Sequence, residues 1–126
     1  MLYSAKVMEQ FQNTKNYGKI ENPSGIGKVG NAKCGDVMWI YIKVEDGKVT
    51  EAKYETFGCV AAIATSSMAI DMVVGKPVDE ALTITNKAVA EALDGLPPEK
   101  MHCSLLAEEG IKAAIEDYQS KIKNAA

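Results

Sequence analysis

A chain of 126 residues, 47% hydrophobic and 25% charged, is long enough to bury one core and too short for two, so a single domain over residues 1–126 is expected. Its formal net charge of -3 argues against broad binding to nucleic acid or to an anionic membrane. The opening MLYSAKVMEQ lacks the apolar run of a signal peptide and no stretch reads as a membrane span, which places the chain in the cytoplasm.

In chain order, Ser4 is placed to cap a short amphipathic helix carrying Val7, Met8 and Phe11 at helical spacing. Asn13 to Gly27 is dense in Asn, Gly and Pro and reads as an irregular, mobile segment, followed by a short extended piece at Lys28 to Asn31. Val37 to Glu45 has strong strand preference, with Met38, Ile40, Ile42 and Val44 on one face. The EDGK turn, Glu45 to Lys48, leads into a return strand, Val49 to Phe57, with one face toward water.

The texture changes at Gly58. CVAAIATSSMAIDMVVG is apolar or small on every side, as in a buried helix that stops at Gly75 ahead of Pro77. A short turn at Val78 to Leu82 precedes a helix capped by Thr85 or Asn86, running to Leu93 and stopping at Gly95. Leu106, Ile111, Ile115, Tyr118 and Ile122 mark a final amphipathic helix starting near the HCS triplet. Strands first and helices afterwards predict an α+β fold: a small antiparallel sheet of about three strands, covered by helices on one face.

The chain has three cysteines, an odd number with no CxxC pair, so free thiols are expected in a reducing compartment. Each sits at a junction: Cys34 ahead of the first long strand, Cys59 at the opening of a helix, and Cys103 beside the single histidine, His102. A helix N-terminus favours thiolate over thiol and disfavours imidazolium, so both cysteines at helix starts are expected to ionise readily and His102 to be neutral. A lone buried cysteine is usually a small apolar filler, a lone Asp after Gly usually caps a turn, and a lone His is usually structural. Gathered together, Cys34, Asp36, Cys59, His102 and Cys103 form five candidate donors suited to tetrahedral zinc or an iron–sulfur cluster. A permanent cluster takes four thiolates, whereas a carboxylate or imidazole in the fourth position yields readily to an incoming thiolate.

Four stretches, CGD (Cys34 to Asp36), FGC with AIATSS (Phe57 to Ser67), GKPVDEAL (Gly75 to Leu82) and LPPEKMHCSLLAEEGIKAAI (Leu96 to Ile115), closely resemble the IscU/NifU family of iron–sulfur cluster assembly scaffolds. The resemblance runs over nearly the whole chain, in family order. It implies a non-catalytic carrier on which a 2Fe–2S cluster is built and then passed to apo-proteins. It assigns Cys34, Cys59 and Cys103 as cluster ligands, Asp36 to cluster lability and early metal binding, His102 as a possible fourth ligand, and Lys100 to the site, although on its own Lys100 reads as a solvated surface charge. It also implies a cysteine desulfurase partner loading persulfide on Cys103, an electron donor such as a ferredoxin, and apo iron–sulfur acceptors. Two positions depart from the family pattern. Glu99 replaces the valine of LPPVK, which argues against the family's chaperone partnership, and Val60 replaces a glycine after Cys59, which would stiffen the backbone there.

The rival reading is a zinc protein using the same residues, either a structural site or a hydrolase with His102 and Asp36 in catalytic roles. A hydrolase needs an open metal position and a separate base, and no HExxH-like pairing supplies them. A thiol redox protein is weakened by the lack of CxxC.

Overall fold

The computed structural model describes residues 3–13, 15–31 and 36–125. The Ser4 hydroxyl accepts the N–H of Val7 at 3.0 Å, the cap that starts α1 (Ala5–Gln12), and donates to Leu93 O. Three strands follow, β1 (Gly25–Asn31), β2 (Asp36–Glu45) and β3 (Lys48–Phe57), antiparallel and in sequence order. Gly25 lies opposite Ile42, Asn31 opposite Asp36, and Trp39 opposite Glu55. The turn between β2 and β3 puts Asp46 at φ 53° and Gly47 at φ 76°, the left-handed pair that matches the strand twist.

On β2, Met38, Ile40 and Ile42 are buried toward the helices, as their alternation predicts, and a register shift at Lys43/Val44 leaves Val44 only partly buried. The opposite face carries Trp39 edge-on to Phe57, with ring centroids 5.8 Å apart, and Lys28 Nζ 5.6 Å from the Trp39 ring. Tyr41 donates to Glu55 at 2.6 Å, and burial together with that carboxylate pushes its hydroxyl up to about 12.

Next come α2 (Val60–Val73), α3 (Val78–Ala81), α4 (Asn86–Ala92), a 3-10 turn at Pro98–Lys100, and α5 (Met101–Ala125). Thr85 rather than Asn86 caps α4, accepting the N–H of Ala88 at 3.1 Å. The small Ala, Ser and Thr side chains of α2 allow it to be enclosed by α1, α4, α5 and β3, while α5 lies across β1 and β2. All the helices packed on the sheet share one face, so the predicted α+β arrangement is the observed one. No helix among the described residues is long and apolar enough to cross a membrane.

The expectation for Asn13 to Gly27 holds in part: residues 15–24 form no helix or strand, but they are tied to the sheet, and β1 begins inside the segment. Within it, Gly18 N–H donates to Tyr54 O at 2.8 Å and Tyr54 N–H to Asn16 O at 2.9 Å, so residues 16–18 cover the edge of β3. Strand β1 begins at Gly25, three residues earlier than Lys28. The segment reads as loop because of its glycines, yet two of them, Gly25 and Gly27, serve packing. A Cβ on Gly27 would lie 2.6 Å from Ala114 N and 3.0 Å from Ala113 Cβ, and one on Gly25 would lie 3.0 Å from Tyr118 N. α5 rests directly on the strand backbone, which only glycine permits.

Gly27→Ala should therefore destabilise the protein by about 2–3 kcal/mol, because the obstructing atoms are helix backbone and cannot turn aside. Urea unfolding checks this; a change below about 0.5 kcal/mol would mean that α5 does not sit flush on β1.

Candidate metal centre

Three elements deliver the candidate donors. Asp36 is the first residue of β2 and is 7% exposed. Cys59 is the N-cap of α2, but its side chain makes no capping bond, so the sulfur is directed to other neighbours. Cys103 lies in the first turn of α5, fully buried. The two sulfurs are 3.9 Å apart, and Cys103 Sγ lies 3.9 Å from Asp36 Oδ2. One donor atom from each of Asp36, Cys59 and Cys103 falls within 4.8 Å of the others. His102 Nε2 stands 3.4 Å from Cys103 Sγ. Cys34 falls in residues 32–35, outside the described residues, between the paired Asn31 and Asp36.

Zinc–sulfur bonds of about 2.3 Å give a tetrahedron with edges of about 3.8 Å. The observed 3.9 Å sulfur separation is close to such an edge, so a thiophilic ion fits between Cys59 and Cys103 with little rearrangement.

Electrostatics corrects one expectation. Burial, then the charge and hydrogen bond of Cys59, then the charge of Asp36, push the Cys103 thiol far above its ordinary value, with Lys100 opposing them. Position in the first turn of α5 does not make Cys103 a ready thiolate, because its desolvation outweighs the helix field. Lys100, on the 3-10 turn before α5, is held above the usual lysine range, mainly by the Cys59 charge beside it. The donor set is thus acidic groups crowded together, which a cation would relieve.

Two contributors lack a clear signal in the sequence. Tyr3 packs against the patch of Ala61, Ala62 and Cys103, and its hydroxyl is raised first by burial and then by the Cys59 charge. A tyrosine ahead of a helix cap looks like a helix staple, and only the path of the chain turns it to the site. Gly58 leaves room for the carboxylate: a Cβ there would come within 2.6 Å of Ala62 Cβ and 3.2 Å of Asp36 Oδ1.

Residues 2–125 match the NifU-like N terminal domain family. The chain belongs to that family. It is 58% identical over 120 residues to the iron-sulfur cluster assembly scaffold protein IscU 1 of Archaeoglobus fulgidus, covering 95% of this chain and 78% of the relative. It is 50% identical over 125 residues to the scaffold protein IscU of Escherichia coli strain K12, covering 96% and 97%. Solved structures agree on the fold. A SUF-system scaffold from Fervidobacterium islandicum superposes with a TM-score of 0.76 at 23% identity, over 90% of this chain and 96% of that one. A NifU-like N-terminal protein from Brucella abortus gives 0.74 at 24% identity, over 93% and 94%. Both relatives are named as iron–sulfur cluster assembly scaffolds.

Because Cys103 is buried and Cys59 is half-buried, iodoacetamide should modify Cys59 roughly tenfold or more faster than Cys103 in the reduced, metal-free protein. Peptide mass spectrometry along a time course reads this directly. Equal rates would mean that the start of α5 opens freely.

Proposed function

We propose that this protein builds a labile 2Fe–2S cluster from iron and from sulfur supplied by a cysteine desulfurase, and passes it to apo-proteins in the cytoplasm. The observation that carries this reading is the convergence of Cys59, Cys103 and Asp36 from three elements at a separation suited to a thiophilic ion. Cys34 is two residues from Asp36, within about 7 Å of chain, and supplies the third thiolate. Asp36 or His102 completes the set. Both are poorer iron donors than a fourth cysteine, so the cluster is held loosely enough to leave.

Iron enters first, on some of these five residues. The desulfurase persulfide then meets Cys103. The Cys103 sulfur attacks the outer sulfur, the S–S bond to the desulfurase breaks, and the desulfurase leaves as a thiol, with no net oxidation. Two electrons from a donor such as a ferredoxin, with one proton, cleave the Cys103 persulfide to thiolate and hydrosulfide, which iron takes up. Cys103 is covered in the resting fold, so this transfer requires the contacts of Tyr3 and Cys59 above it to part. The Lys100 ammonium beside Cys59 steadies the negative charge that develops. Glu99, exposed on the 3-10 turn, disfavours a chaperone that reads a valine there.

Anaerobic reconstitution with ferrous iron, cysteine and a desulfurase should give equal iron and acid-labile sulfide, a brown chromophore, and transfer to apo-ferredoxin. A zinc site is the second reading, favoured by the same near-tetrahedral sulfur separation. Protein that stays colourless and retains zinc through that treatment would make zinc the answer. Asp36→Ala should slow cluster transfer about tenfold while retaining assembly, because it removes the weak carboxylate donor that an incoming thiolate displaces, an effect of the size seen for groups that tune a metal site. Equal transfer rates in stopped-flow absorbance would remove Asp36 from that role.

A further inference from the structure

Thr65 is fully buried in α2, six residues beyond Cys59. Its hydroxyl stands 3.2 Å from Ala62 O and 3.2 Å from Cys103 O. The first contact is the usual back-bond of a helical threonine to the preceding turn. The second leaves the helix, crosses to α5, and ends on the peptide carbonyl of a candidate sulfur donor. Inside α5 that carbonyl already has its regular helical partner, so satisfying it does not require Thr65.

The neighbouring hydroxyls behave differently. Ser66 returns to Ala62 O at 2.6 Å and touches Met38 Sδ at 3.3 Å, and Ser67 runs to Gln10 Oε1 at 2.5 Å. Neither of these bonds reaches α5. Thr65 ties the peptide of Cys103 to the same short helix whose N-cap is Cys59, so it links the two sulfurs through backbone rather than through the flexible thiols.

We infer that Thr65 is a positioning residue for the cargo site: its hydroxyl fixes the first turn of α5 against α2 and so sets the Cys59–Cys103 sulfur spacing. The inference rests on the metal-binding reading above. Ligand geometry tolerates only a few tenths of an ångström, and the observed spacing of 3.9 Å lies near a tetrahedral edge. Valine has the shape of threonine without the donor. It would leave the helices packed but free to slide relative to one another.

The test uses cobalt(II) as the probe on reduced, metal-free full-length protein without oxygen. Chelator competition gives affinity, and the sulfur-to-cobalt charge-transfer band counts thiolates. Unfolding midpoints of the metal-free samples are measured in parallel. Thr65→Val should bind cobalt about tenfold more weakly with a weaker charge-transfer band, while Thr65→Ser, which keeps the donor, stays close to the parent. Val73→Ala, which opens a cavity at the far end of α2, should lose stability yet retain the parent affinity and spectrum. Should Thr65→Val fail to fold, Thr65→Ala carries the same comparison. The inference falls if the Thr65 variant keeps parent affinity and spectrum, or if Val73→Ala loses as much as it does. Parent protein that binds cobalt without any sulfur band would instead overturn the metal-binding reading itself.

Discussion

Direct contact between the backbone of α5 and strand β1 is the constraint on which the remaining geometry depends. Gly25 and Gly27 on the strand, and Gly110 on the helix, remove the side chains that would hold the two apart; a Cβ on Gly110 would meet Ile40 Cγ1 at 2.8 Å. Ile111 and Ile115 are then buried on the helix face, and Asp117 accepts the N–H of Ile26 at 2.9 Å, a bond that holds its carboxyl below the usual range. A helix of 25 residues behaves as a bar of about 38 Å, so seating its middle determines where its first turn falls. That turn carries His102 and Cys103 to the ends of β2 and α2, where Asp36 and Cys59 wait.

Gathering these groups works against the fold as long as no cation is present. Two thiols and a carboxylate share a half-buried corner, with Lys100 as a nearby positive charge. The penalty shows in Cys103, which the surroundings hold protonated. Metal entry would release that proton and exchange crowding for coordination, so binding there would be coupled energetically to the fold. The sulfurs are also unequal, one fully buried and one half-exposed, which gives the corner a floor and a rim.

The N-terminal segment closes over this corner with little apolar grip. Val7 is the one residue of α1 that is fully buried, Tyr3 adds a partly buried apolar contact, and much of the remaining hold is polar. Ser4 reaches Leu93 O, while Gln10 Nε2 and Asn16 Nδ2 both donate to Asp71 on α2, at 2.9 and 3.0 Å. Hydrogen bonds of this kind each contribute about 1 kcal/mol net. Tyr3, at the end of this segment, therefore covers Cys103 through an attachment weaker than the core beneath it.

By itself, the sequence determined the local elements and the chemistry they could carry. The alternation of Met38, Ile40 and Ile42, the Asp46–Gly47 turn, the caps at Ser4 and Thr85 and the all-round small residues of α2 are short-range signals, and each produced its element. The donor types of Asp36, Cys59, His102 and Cys103, and the motifs around them, also pointed to the family. What only the tertiary structure decided is distance and environment. Glycines of β1 look like loop residues until a helix backbone is laid on them, and the irregular segment before them looks unattached until residues 16–18 bond to the edge of β3. Cys103 looks like an ionised thiol at a helix start until burial and two acidic neighbours are placed around it. Thr65 and Tyr3 look like ordinary packing residues until the first turn of α5 is brought beside them. The reason is common to all five: propensity and periodicity act over a few residues, whereas close approach, desolvation and charge coupling depend on groups tens of residues apart that only the completed packing brings together.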